Sequence, residues 1–363
     1  MIFAVTYVAN ASEPASSADR FHKCWEIPTA VLSEQGLSAD EANTYFVTRD
    51  GKVTAVELVT GKIAWTAEVG GTPNSELVLA KDKIFTIASP VRASPAAKPV
   101  LRAFTSTTGL PLWNVELPTS RKYFLTSDGE QLAAVSSEGA LWLFSADAGQ
   151  IKWTASTNGL VSAQPRIEDG RLLIAVDGKR VQEFSMDSGV RVAVAEVDGD
   201  AAFVGAGRSS AAVYSDDRGN VHSIQMGGGR NWNFRAGGRV VYIRAVADNV
   251  LFGSADNFVY FMSVERGNLL WKRRLPGRIA SGGLIGADLA VFTVVGDRSA
   301  YIVELDKGRL IDRLELADED AFLVTPIRAN GEYVVAASAN GLTAFSTGCG
   351  KQKSGKQLPL SGS

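Results

Sequence analysis

Residues 53–65 read VTAVELVTGKIAW. The stretch divides into a strand, a tight turn around Gly61, and the start of a second strand that ends on Trp65. Variants of it return along the chain: LRAFTSTTGLPLW at 101–113, LWLFSADAGQIKW at 141–153 and FVYFMSVERGNLLW at 258–271. Weaker copies are VQEFSMDSGVRVA, ending at Ala193, VHSIQMGGGRNW, ending at Trp232, and AYIVELDKGRLID, ending at Asp312. The turn glycines are Gly61, Gly109, Gly149, Gly189, Gly228, Gly267, Gly308 and Gly348, spaced by 48, 40, 40, 39, 39, 41 and 40 residues. A fixed period of this length is the mark of a repeat architecture, and it constrains every local reading.

Such a period suits either helical solenoids or propeller blades, and local chemistry decides between them. Ala140 to Phe144 is short, aromatic and apolar on both alternating faces, as are the runs beginning at Lys83, Arg171, Ala290 and Glu332. Runs of this kind, bounded by turn residues, read as strands buried on both sides. No amphipathic helical window of useful length interrupts them. Each period holds four strands, the content of one propeller blade. A blade packed between two neighbours has no polar face, which explains the missing alternation.

Gly and Trp recur for physical reasons. The hairpin after the third strand needs positive φ, which Gly adopts without steric cost. Trp, four residues later, falls on the outer strand. There an indole can bury ~150–250 Å² over the seam between blades while its N–H finds an acceptor.

The chain has 363 residues, 45% hydrophobic, with a formal net charge of −2 and two cysteines. That is long enough for a large core, and the charge argues against a nucleic-acid partner. No apolar run reaches the ~18 residues of a membrane-spanning helix. Residues 1–20 stand outside the repeat; Met1 to Val8 is apolar, and Ala9-Asn10-Ala11 resembles a signal-peptidase site. Export to the periplasm or beyond is therefore expected. Residues 21–348 are expected to form a single eight-bladed all-β propeller, and 349–363 a polar tail. The last blade lacks an outer strand after Gly348, whereas FHKCWEI at 21–27 is an orphan outer strand. The two chain ends are thus predicted to share blade 8 and close the ring, which hides its edges. Blade 2 carries an insertion, SPVRASPAAKP at 89–99, whose prolines predict a surface loop.

The pattern Asp147-Ala-Gly149-Gln-Ile-Lys-Trp153 after a strand resembles the pyrroloquinoline-quinone-like repeat. That family includes the quinoprotein alcohol dehydrogenases and the BamB subunits of outer-membrane β-barrel assembly. The dehydrogenase likeness implies adjacent cysteines, a calcium site and a catalytic Asp. Here Cys24 and Cys349 are far apart in sequence, His22 and His222 fall on different blades, and no insertion is long enough to roof a cofactor. The BamB likeness implies a non-enzymatic, exported propeller that binds protein in the cell envelope, with no cofactor. A monomer is expected. An enzyme of the dehydrogenase kind stays the alternative.

Three sets of residues are singled out. Arg235 and Arg239 flank the link from blade 5 to blade 6, and Lys272, Arg273, Arg274 and Arg278 flank the next. Asp198, Asp200, Asp318, Glu319 and Asp320 give neighbouring links the opposite sign. This rim reads either as a surface that orients a charged partner or as a solvated face. Arg166, Arg244 and Arg328 hold similar places in three innermost strands. They could converge on an anion in the central channel, or bond neighbouring carbonyls. Finally, if Gly348 and Trp25 fill the repeat's Gly and Trp slots, Cys349 and Cys24 lie two strand positions apart, or ~6.6 Å. That is near the upper limit for a disulfide of ~6.8 Å. A Cys24–Cys349 disulfide is expected, two unrelated thiols being the competing reading.

Overall fold

The computed structural model of the chain describes residues 20–29, 36–48, 50–91, 97–168, 170–197, 202–206, 211–225, 230–316, 322–324, 333–338 and 341–349. They form eight antiparallel sheets arranged as the blades of a closed propeller. Blade 6 shows the pattern: Val240–Val246 innermost, then Asn249–Ser254, Phe258–Ser263 and the outer Leu269–Arg274. Blade 2 departs from it. Its innermost strand is split into Thr72–Pro73 and Val78–Ala80, both paired with Lys83–Ser89. Pro73 cannot continue a ladder, and the Ser75 hydroxyl takes over by accepting the Ile87 N–H at 2.9 Å.

Burial accounts for the runs without a polar face. Middle strands are buried throughout, as in Asn43–Val47, whereas outer strands alternate, as in Ile63–Glu68. The core is divided among the seams. Phe85, Ile87 and Leu101 of blade 2 meet Tyr123, Leu125 and Leu132 of blade 3. Leu172, Ile174 and Phe184 of blade 4 meet the other face of blade 3. Each blade thus buries one face against each neighbour.

The Gly and Trp of the repeat meet across the seams. Trp65 of blade 1 lies on Gly109 of blade 2, and its Nε1 donates to the Ser106 carbonyl at 2.8 Å. Trp113 does the same on Gly149 and Ala146, Trp153 on Gly189 and Met186, Trp232 on Gly267 and Val264, and Trp271 on Gly308 and Leu305. A Cβ on Gly109 would fall 2.3 Å from the Trp65 ring. Glycine is therefore required twice, for its φ of +69° and for the indole above it.

The ring closes as the repeat predicts. His22–Pro28 pairs antiparallel with Gly341–Ser346 as the outer strand of blade 8. Trp25 packs on Gly61 of blade 1 and bonds the Leu58 carbonyl at 2.7 Å. At the seam between blades 7 and 8 the tryptophan slot holds Asp312, whose carboxylate accepts the Phe21 N–H at 2.7 Å. Cys24 and Cys349 are joined, with Cα atoms 5.3 Å apart. That is shorter than two extended residues, because the ladder shifts register between Lys23 and Trp25 and makes Cys24 the extra residue of a bulge.

Candidate interaction surface

The links between blades are fastened from below by the turns between second and third strands. Asp256 is one such fastener: its Oδ2 accepts the Gly237 N–H at 2.6 Å and the Tyr260 hydroxyl at 2.5 Å. Burial, with the bonded carboxylate, pushes the Tyr260 phenol far above its usual range, so it stays a neutral donor. Glu138 similarly accepts from Ser120 and the Arg121 N–H. Asp256 and Glu138 thus tie these two links to the blades that follow them.

Of the rim residues, Arg235, Arg239, Lys272, Arg274 and Arg278 are exposed. The Lys272 ammonium sits 5.2 Å from the centre of the Phe258 ring. Among the described residues, none of the five makes an ion pair. Arg273 differs. It alternates with Lys272 along the outer strand, is half-buried, and its Nε donates to the Gly308 carbonyl of blade 7. It braces a seam, where the sequence pattern alone groups it with the rim. The acids Asp198, Asp200, Asp318, Glu319 and Asp320 lie outside the described residues, as do the signal-like segment, the middle of the blade 2 insertion and the tail after Cys349.

In the channel, Arg166 lies on the innermost strand of blade 4 and Arg244 on that of blade 6; Arg328 is outside the described residues. The two arginines share a neighbourhood. Burial pushes the Tyr242 phenol up to about 12, and Arg244 and Arg166 both pull against that rise. Glu76 was missed in the sequence. Burial raises its carboxyl above the usual range, with Lys122 and Arg166 opposing. Nothing in NSELVLA signals this role, since only the packing of the blades around a common axis brings blade 2 within electrostatic reach of Arg166 on blade 4. Arg166 is thus within electrostatic reach of both Glu76 of blade 2 and Tyr242 of blade 6.

His22 is exposed, whereas His222 is buried, with Nε2 3.7 Å from Asp216 and its ring stacked on Tyr214 at 4.7 Å. No cluster of His, Cys, Asp and Glu able to hold a metal ion occurs among the described residues. No helix there is long and apolar enough to cross a membrane.

Comparison with known proteins adds to this geometry. The family model described as outer membrane protein assembly factor BamB matches residues 17–120, 97–230 and 191–358. A curated relative, the outer membrane protein assembly factor BamB of Yersinia pestis, is 22% identical over 316 residues, covering 68% of this chain and 80% of the relative. Among solved structures, BamB from Moraxella catarrhalis superposes with a TM-score of 0.62 at 16% identity, covering 90% of this chain and 97% of that one. The C-terminal WD40 domain of Sif2 superposes with a TM-score of 0.71 at 13% identity, covering 90% and 98%. A propeller of another kind fits as well as BamB does, so the superpositions speak to fold alone.

Proposed function

Because the chain belongs to the family of the outer membrane protein assembly factor BamB, we propose that it is an exported, non-enzymatic scaffold that binds protein partners during assembly of outer-membrane β-barrels. The observation that carries this reading is the family match, which runs through all eight blades. The surface supports it: the outer strands Arg230–Arg235 and Leu269–Arg274 and the links that follow them present Arg235, Arg239, Lys272, Arg274 and Arg278 to solvent as one basic sector. Such a sector speeds encounter with an acidic partner surface and fixes its orientation. The proposed compartment, the periplasm, is one where a Cys24–Cys349 bond persists.

The test is affinity purification of the full chain from a cross-linked cell-envelope fraction. Recovery of outer-membrane assembly components is the expected result. A quinone absorbance band that accompanies turnover of an alcohol would overturn the scaffold reading.

A further inference from the structure

Each outer strand is the free edge of its blade, so the eight edges can be compared position by position. The residue after the tryptophan slot faces solvent. It is Glu26, Thr66, Asn114, Thr154, Asn233, Lys272 and Arg313 in seven blades, polar and exposed every time. In blade 4 it is Val194, on the outer strand Arg191–Glu196. The same strand has Ala193 in the tryptophan slot, so no indole fastens it to blade 5. Val190, Val192 and Val194 are 59%, 54% and 38% exposed. Val192 is the extra residue of a bulge, between Arg191 paired with Phe184 and Ala193 paired with Glu183.

Polar and charged side chains on an edge discourage another strand from adding to it. Seven edges carry that guard at their centre and blade 4 does not. On the C-terminal side of the bulge at Val192, its outward backbone N–H and C=O groups can be satisfied by an added polypeptide strand, and its valines select for apolar side chains on that strand. Antiparallel pairing is the more stable arrangement per residue. Arg191 and Glu196 bracket the edge with opposite charges, which gives the added strand a polarity.

We propose that the outer edge of blade 4 captures an extended strand of a partner protein, antiparallel to Arg191–Glu196. The captured strand carries apolar residues opposite Val192 and Val194, a basic residue near its N-terminal end beside Glu196, and an acidic residue near its C-terminal end beside Arg191. The proposal rests on the protein-binding reading above and names the partner's chemistry at a second surface, the edge of blade 4 rather than the basic sector of blades 5 and 6.

The probe is a fluorescent synthetic peptide of that pattern, titrated by anisotropy into the purified full chain, with a charge-swapped peptide in parallel. Val194→Lys is expected to weaken binding by about tenfold or more, and Thr154→Lys on blade 3 to leave it unchanged, with equal melting temperatures for both variants. Slowed amide exchange across residues 191–196 on peptide addition is the expected structural signature. Equal affinity of the Val194→Lys chain, or equal affinity for the charge-swapped peptide, overturns the proposal. So does a dimer in sedimentation, or binding to anionic phospholipid vesicles, that Val194→Lys abolishes; these would assign the edge to a second copy or to a lipid surface. No assembly component enters the titration, so its failure leaves the scaffold reading standing, and a failed cross-linking experiment leaves the edge standing.

Discussion

Gly149 and Gly170 separate two reasons for a glycine. Both have positive φ, +66° and +71°, but a Cβ on Gly149 would lie 2.6 Å from the Trp113 ring, whereas one on Gly170 meets nothing within 4 Å. Gly170→Ala should cost only the strain of a left-handed alanine, about 1 kcal/mol, and Gly149→Ala roughly 1–3 kcal/mol more as the indole is displaced. Urea denaturation should show a lower midpoint at unchanged slope; equal losses would show that the indole contact contributes nothing. Glu76 supplies a pH test at the same scale. Burial first, against Lys122 and Arg166, raises its carboxyl in the folded state above the ordinary value of 4.5. The folded chain then binds a proton that the unfolded chain has released, so stability falls as pH climbs from that value through the raised one. Glu76→Gln should remove this fall, and stability curves measured across that window should diverge progressively toward higher pH.

At the scale of the element, the outer strand Leu269–Arg274 has two jobs that alternate along it. Trp271 and Arg273 turn toward blade 7, and Lys272 and Arg274 toward solvent. Replacing Arg239, Arg274 and Arg278 together by Glu should leave the melting temperature nearly unchanged, since exposed substitutions usually shift stability by ~0.5 kcal/mol or less. Partner association, followed by stopped-flow, should slow most at low salt. Arg273→Ala should behave oppositely. It leaves the Gly308 carbonyl without its charged donor, about 1–3 kcal/mol, while association rates stay as they were.

For the whole molecule, closure is the feature that everything else depends on. The closing strand contributes the ladder to Gly341–Ser346, the Trp25 contact with blade 1, the Asp312 bond and the disulfide. The disulfide spans 325 residues, and loop entropy puts its contribution at about 2–5 kcal/mol. A Cys24→Ser, Cys349→Ser chain should therefore melt lower yet still fold, because ladder and indole remain. Removing residues 1–28 should prevent a stable monomer. A truncated chain that melted like the full one would refute closure by this strand. A non-reducing peptide map of the exported protein should show the two cysteine peptides linked.

The sequence by itself determined the blade count, the turn positions and the shared last blade. Those depend on local chemistry repeated at a fixed period: positive φ at Gly61, Gly109, Gly149, Gly189, Gly267 and Gly308 (Gly348 does without it, and Gly228 lies outside the described residues), apolar strands between turns, and an orphan strand at 21–27 that matched a missing one after Gly348. Even the Cys24–Cys349 pair followed from that alignment. Only the tertiary structure decided which residues meet across a seam, because neighbours there are about a whole repeat apart. It set each tryptophan on the next blade's glycine, turned Arg273 inward while its neighbours stayed exposed, and placed Asp312 on the Phe21 amide. It also gathered Glu76, Arg166 and Arg244 around one channel. Local pattern specifies a blade, but the environment of a side chain is made by the neighbouring blade, and that exists only once the ring has closed.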